Sequence, residues 1–414
     1  MESVESRYPI LVFILLVLFS LPASYCKVDP LSNLIRVVCI GESHIHETRL
    51  PLLLGSDPRL TYQPIPANWY ESTFQAVGGG RKDALKFMRQ YMPRTYGRLI
   101  DTYDVILLSD FEVDIITEEQ FSWMEQSVRE AGMGLGKYEM NYDPGHFGTF
   151  NRFVASSIYL ALPADLQWGQ IIPKPLEGIY PVPIPGTGEP HPMLDLPGMN
   201  QFKVLNEGTY GYEIPRPGAT VIARFKPKDE DAMIIRDYGE GKTLACLPGH
   251  DKIDSNAIAM WPYTIDFWVN QMWYLAGLGI PDDVELVHQL RERSLTYSSE
   301  KSLTTAVIEF VEKFGASTKR LYDELSDVDD LKRDSNRLYL EEQYQESLEK
   351  LEEAFEGLKR VADDSVKVKE TALFWIYMIE WFTVTGTCVI TGFVLWTLMV
   401  RRRLYRQVEV TRSR

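Results

Sequence analysis

The sequence predicts an α/β protein, with a doubly wound, mostly parallel sheet followed by a helical stalk and one C-terminal membrane-spanning helix. Three observations carry that prediction. Between Ile35 and Ile280, apolar β-branched runs alternate with amphipathic stretches, the order expected of β-α units. After Pro281 the composition turns to Glu, Lys, Leu and Arg with no further proline. From Phe374 to Val400 an almost unbroken apolar run stops at Arg401-Arg402-Arg403.

Residues 1–26 read as a secretory signal peptide. The apolar run Ile10 to Leu21 is too short for a span, and small residues follow it. Glu2 and Glu5 outnumber Arg7, so a retained anchor is the competing reading. Tyr25 stands where a small residue would precede a lipidated Cys26, which argues against lipid attachment.

The globular part spans residues 31–280. Its first strand, Ile35 to Ile40, is apolar except for Arg36 and ends in Gly41-Glu42-Ser43-His44, as suits the inside of a covered parallel sheet. A helix is expected from Leu50, a strand over Leu60 to Pro66, and a helix over Asp83 to Met92. Tyr103 to Ser109 is the clearest strand and closes at Asp110. Thr117 with Gln120 three residues on forms a capping box, Phe121, Met124 and Val128 share one helical face, and Gly132 stops that helix.

A strand is then expected over Lys137 to Met140, followed by a loop with Asp143, His146 and Gly148. The proline-rich stretch from Pro163 to Pro217 should form extended strands and turns. Ala219 to Phe225, Ala232 to Arg236 and Thr243 to Leu247 read as strands, the last ending in Pro248-Gly249-His250-Asp251. Phe267 to Leu278 is the closing helix.

Composition excludes some function classes. A formal net charge of -15 argues against a nucleic-acid partner, because phosphate binding needs a basic surface. Four cysteines are too few for a disulfide scaffold; Cys39 and Cys246 lie in strand-like runs and are expected as buried thiols, paired if their strands adjoin. No Asn-x-Ser/Thr acceptor occurs.

Tyr103 to Asp110, the helix after Thr117 and the Gly132-Met133-Gly134-Leu135-Gly136 turn are similar to the class I glutamine-amidotransferase-like fold, especially its amidotransferase and ThuA-like branches. His191-Pro192-Met193-Leu194, Pro217-Gly218-Ala219, Tyr238-Gly239-Glu240-Gly241-Lys242 and Pro248-Gly249-His250-Asp251 follow in the order of those branches' short motifs. The resemblance covers about Ile35 to Gly279 and implies a flavodoxin-like sheet. It also implies a nucleophilic cysteine on a strand-to-helix elbow near Gly134 to Met140, and none is there. Only a positioned thiolate attacks the glutamine amide, so glutamine hydrolysis is not expected.

Ligands of open parallel sheets bind beyond the carboxyl ends of the strands. The chain places His44, His46, Asp110, Glu112, Asp143, His146, His250 and Asp251 after strands that would end there, including four of its six histidines. Imidazoles and carboxylates in one cleft can bind a ligand, hold an ion or exchange protons. The competing reading makes them solvated loop ends. No cofactor and no defined metal set is called for.

Residues 281–371 read as a stalk. Leu303 to Leu325 is one helical stretch with a weak point at Gly315, and Ser326 to Asp334 a turn. The second stretch, about Leu338 to Lys369, carries a coiled-coil-like seam at Tyr344, Leu348, Leu351, Phe355, Leu358 and Ala362. Self-association or a membrane-protein partner through stalk and span is one reading, a charged helix lying against the globular domain the other.

The run 374–400 is long enough for a hydrocarbon core of about 30 Å. Trp375, Tyr377 and Trp381 at one end and Trp396 and Tyr405 at the other suit the two interfaces, with Glu380 at headgroup level. The lipid bilayer is the expected partner. The arginines of tail 401–414 place it on the cytoplasmic side and the large N-terminal part outside. Two functions compete: a non-catalytic ligand- or partner-binding module, and a membrane-tethered metal-dependent or acid-base hydrolase using the histidine and carboxylate edge.

Overall fold

A computed structural model describes residues 33–41, 43, 49–67, 80–138, 147–171, 178–199, 210–226, 229–248 and 261–412. The signal-peptide segment lies outside them. The strands are β1 Ile35–Gly41, β2 Leu60–Pro66, β3 Val105–Ser109, β4 Gly134–Lys137, β5 Ala164–Ile171, β6 Gly178–Pro181, β7 Tyr210–Pro215, β8 Thr220–Lys226, β9 Asp231–Tyr238 and β10 Gly241–Cys246. The helices are α1 Leu50–Leu54, α2 Arg81–Tyr91, α3 Tyr96–Thr102, α4 Glu118–Ala131, α5 Phe147–Val154, α6 Thr264–Leu275, α7 Val284–Glu312, α8 Lys319–Leu340 and α9 Tyr344–Arg412.

The protein is mixed α/β. Eight strands form one sheet in the order β2-β1-β3-β4-β10-β9-β8-β6, and β5 pairs with β7 in a separate ribbon. Strands β2, β1, β3, β4 and β10 run parallel, whereas β9, β8 and β6 add antiparallel partners. Alternate residues of the parallel strands face opposite ways. Val38, Ile40, Ile106, Leu108 and Leu135 join the core under α2, α3 and α4. Glycines 134 and 136 face α6, and a Cβ on Gly134 would lie 2.5 Å from the Leu275 carbonyl oxygen. The Gly-Leu-Gly run is therefore set by the close approach of α6.

Strand β4 ends at Lys137, where the sequence expectation begins its strand. The glycine pair belongs inside the strand because α6 leaves no room for side chains there. Two short helices, α3 and α5, escape the sequence reading; Thr95 caps α3 by accepting from the Arg98 amide at 3.3 Å. The expected capping box of α4 forms, and Gly132 ends that helix at φ 72°. Cys39 and Cys246 are buried and are not joined in a disulfide. Their strands do not adjoin, since β3 and β4 lie between β1 and β10.

Two compact units make up the chain: Met1–Leu295 with Leu338–Gln345, and Thr296–Arg337 with Glu346–Arg414. The first unit runs past the boundary expected near Pro281 because it has a buried polar centre. Arg291 Nε donates to Asp57 Oδ2 at 2.9 Å, and Nη1 donates to Asp266 Oδ1 at 2.7 Å and to Asn270 Oδ1 at 3.0 Å. Asp57 also accepts from Trp273 Nε1 at 3.2 Å and Tyr339 Oη at 2.8 Å, and His288 Nδ1 lies 2.6 Å from Asp266 Oδ2. Charges this deep persist only when each has a partner.

The helices from α7 onward depart from the expected layout. Ser326 to Asp334 lies within α8, and the breaks fall at Gly315, φ 78°, and Glu342, φ 62°. Helical residues on both sides of 326–334 outweigh its acidic character. The buried stripe of α9 is Ser347, Leu351, Ala354, Leu358, Val361 and Ser365, sharing Leu351 and Leu358 with the expected seam and otherwise displaced by one residue. Small residues win these positions because the neighbouring helix approaches closely. A Cβ on Gly357 would sit 2.8 Å from Val328, and the Ser347 hydroxyl donates to the Ser335 carbonyl at 2.8 Å.

Helix α9 continues through the apolar run, about 100 Å in all. It contains the one stretch among the described residues long and apolar enough to cross a membrane. Thr383, Thr387 and Thr391 each donate to the carbonyl four residues earlier at 2.7–2.8 Å, so their hydroxyls need no outside partner.

Candidate functional site

Four parallel strands set the candidate edge. Ile40, Leu108, Lys137 and Ala245 are in register across β1, β3, β4 and β10. One step further on, Gly41 pairs with Ser109. The strand order reverses between β1 and β3, because the chain places β2 on one side of β1 and β3 on the other. A crevice beyond the carboxyl ends is expected at such a reversal. Gly41, at φ 119°, lets β1 and β3 close up there; a Cβ would fall 1.8 Å from the Ser109 carbonyl oxygen.

Of the candidate residues, His44, His46, Asp143, His146, His250 and Asp251 lie outside the described residues. Asp110 and Glu112 are brought to the end of β3. Asp110 takes a left-handed conformation, φ 35°, which is uncommon for a residue with a side chain and turns the chain sharply out of the strand. The Glu112 amide then donates to the Ala67 carbonyl at 3.0 Å, tying this turn to the end of β2.

Burial, and next the neighbouring charges of Asp110 and Asp114, push the Glu112 carboxyl up to about 7 against the opposing pull of Arg81. It can therefore exchange a proton near neutrality. Asp114 is held by Arg152 at 2.7 Å.

Three features of this edge escape the sequence reading. The Ser43 hydroxyl is fully buried two residues beyond β1 and has no hydrogen-bond partner among the described residues, while its carbonyl accepts from Tyr62 Oη at 3.3 Å. Lys137 and Glu213, both buried, form an ion pair between the end of β4 and β7. Tyr138 is fully buried, donates to Gln271 Oε1 at 3.1 Å and packs its ring edge-on against Trp268. Burial pushes its hydroxyl well above the usual phenol range. A lysine closing an apolar strand was the one available signal for the ion pair; its partner is 76 residues away.

His191 belongs elsewhere. Its Nδ1 accepts from the Met193 amide at 3.2 Å and starts the turn Pro192–Leu194, with Tyr274 edge-on at 5.1 Å. Burial, and then Lys242, lower it to about 4, so it is neutral at physiological pH. Among the described residues no group of three or more His, Cys, Asp or Glu side chains is placed to hold a metal ion.

No family model and no curated protein matches the chain. Among solved structures it is similar to two cytoplasmic proteins from Salmonella typhimurium. One is 18% identical at a TM-score of 0.42, the other 16% at 0.37, and each alignment covers 58% of this chain and 99% of that one. An exo-β-1,4-mannosidase from an Opitutaceae bacterium aligns at 13% identity and a TM-score of 0.29, over 59% of this chain and 36% of its own.

Proposed function

We propose that the chain is a membrane-anchored, non-catalytic binding module. Its head is a doubly wound, flavodoxin-like domain similar to the class I glutamine-amidotransferase-like fold, and it recognises a small polar ligand or a partner protein at the carboxyl edge of the sheet. One observation carries the reading. At the end of β4, where a family nucleophile would stand, Lys137 and Tyr138 are buried and engaged in pairing and packing. The same edge offers a turned-out Asp110, a proton-exchanging Glu112 and a buried Ser43 hydroxyl for recognition. Arg401, Arg402 and Arg403 support a cytoplasmic tail and an extracytoplasmic head.

Three measurements on the full-length protein test this. Ammonia release from glutamine should stay at background, and thermal stabilisation by members of a panel of sugars, amino acids and polyamines should disappear in Asp110→Asn/Glu112→Gln. Glutaminase activity abolished by a substitution at this edge would overturn the reading. An impermeant thiol reagent applied to intact cells should spare Ser413→Cys in the tail; labelling there would reverse the orientation.

Glu112 favours a second reading, an acid-base hydrolase, because a carboxyl titrating near 7 suits a general acid. Its mark would be a turnover whose pH profile breaks near 7 and is lost in Glu112→Gln.

A further inference from the structure

The second unit carries a groove of about 520 Å³, roofed by the turn between α7 and α8 and floored by α9 where the apolar run begins. That volume is within the range of about 300–1,000 Å³ typical of small-molecule sites. Towards the apolar run its walls are apolar, with Phe314 and Ala316 from the turn and Trp375, Ile376 and Ile379 from α9, and its opposite rim is charged, with Arg320, Asp364 and Lys367. Phe310 and Phe314 sit edge to face at 4.8 Å and are 41% and 49% exposed, so the roof itself presents aromatic surface to its surroundings.

The vertical order of these groups matches a leaflet. Trp375 and Ile376 open the apolar run, whereas Lys367 precedes Phe374 by seven residues, about 10 Å of helix. The headgroup layer adds about 5–8 Å to each side of the hydrocarbon core, and a lysine stem spans the remainder by snorkelling. The rim also has paired charges. Asp364 accepts from Lys367 Nζ at 2.8 Å and Arg320 Nη2 at 3.1 Å, and Glu324 lies 3.2 Å from Arg320 Nη1. Two cations and Asp364 on the rim, with Glu324 one helical turn further along α8, complement a headgroup with one phosphate and one ammonium.

We propose that this groove is a binding site for one zwitterionic phospholipid of the leaflet in which the apolar run of α9 begins. An acyl chain lies along Phe314, Trp375, Ile376 and Ile379; the phosphate sits at Arg320 and Lys367 and the ammonium at Asp364 and Glu324. The bilayer supplies the occupant, since the groove's floor is continuous with the apolar run. The proposal rests on the reading of 374–400 as a membrane span, and the bound lipid would brace the α7–α8 turn against α9 at the membrane surface.

The test uses full-length protein in phosphatidylcholine nanodiscs doped with phosphatidylcholine carrying a diazirine on its acyl chain. Photolabel should map both to the turn 313–318 and to residues 375–400. In Arg320→Glu/Lys367→Glu, checked for unchanged helicity by circular dichroism, label in the turn should fall at least five-fold while label in 375–400 persists. A diazirine alcohol lacking the headgroup should label the turn weakly. Label confined to 375–400 in the wild type, or equal turn labelling by the alcohol, would overturn the lipid site and leave the span standing. Absence of label from both segments would overturn the span and the site together.

Discussion

Tyr339 and Asp57, 282 residues apart in sequence, meet in the interior of the first unit, where the phenol donates to Oδ2 at 2.8 Å. Asp57 accepts at the same oxygen from Trp273 and Arg291. The end of α8 is thus fastened to the turn after α1 by one buried carboxylate. Burial keeps Tyr339 protonated well beyond neutral pH, so the donor persists.

Tyr339→Phe should destabilise the first unit by about 1–3 kcal/mol, the cost of leaving a buried acceptor short of a partner. Arg291→Leu should cost more, about 3–5 kcal/mol, because it strands Asp57 and Asp266 as uncompensated charges. Urea midpoints of the full-length protein in detergent micelles check both values. Equal losses would show that the guanidinium does not hold the centre together.

The Lys137–Glu213 pair should behave as a buried ion pair does. Lys137→Met alone should cost about 3–5 kcal/mol, and adding Glu213→Leu should recover most of that loss. A double-mutant cycle on urea midpoints reads the coupling. If the double variant is as unstable as the single one, the pair contributes more than mutual neutralisation.

Helix α6 dictates the glycines of β4, and the two positions should differ. A Cβ at Gly134 meets the Leu275 backbone at 2.5 Å, whereas at Gly136 the first contact, 2.7 Å, is the end of the Leu107 side chain. Gly134→Ala should therefore cost about 1–3 kcal/mol through overpacking, and Gly136→Ala less, since a side chain can turn aside. Thermal melts monitored by near-ultraviolet circular dichroism would rank them; the reverse order would contradict the packing of α6.

Glu112 gives the first unit a pH dependence of definite sign. Its carboxyl is raised from 4.5 to about 7, so the folded protein holds a proton there that the unfolded chain releases. Its contribution to stability is greatest below pH 4.5 and is lost as pH rises towards 7. Glu112→Gln should match the wild type in melting temperature at pH 4 and exceed it at pH 8. A variant less stable than the wild type at pH 8 would show that the ionised carboxylate is held by compensating donors.

Much of the local structure was legible in the sequence. Strand β1, helix α1 and the capping box of α4 follow from patterns a few residues long: an apolar strand closed by a glycine turn, a leucine run, and Thr117 with Gln120. The apolar run of α9 is equally plain, because length and hydropathy alone decide whether a helix can cross a hydrocarbon core. At the candidate site, Asp110 and Glu112 were readable as the residues that end β3.

What the sequence could not decide depends on residues far apart in the chain. That Gly134 and Gly136 serve packing, that Lys137 finds Glu213 and that Asp57 gathers Trp273, Arg291 and Tyr339 are set by which elements become neighbours. The stripe of α9 takes in Ser347, Ala354 and Ser365 for the same reason, since close helix approach admits small residues that periodicity of apolar residues overlooks. Local propensity and hydropathy act within a few residues and leave their mark on the sequence. Burial of a charge, and the partner that makes it tolerable, exists only once the chain has folded.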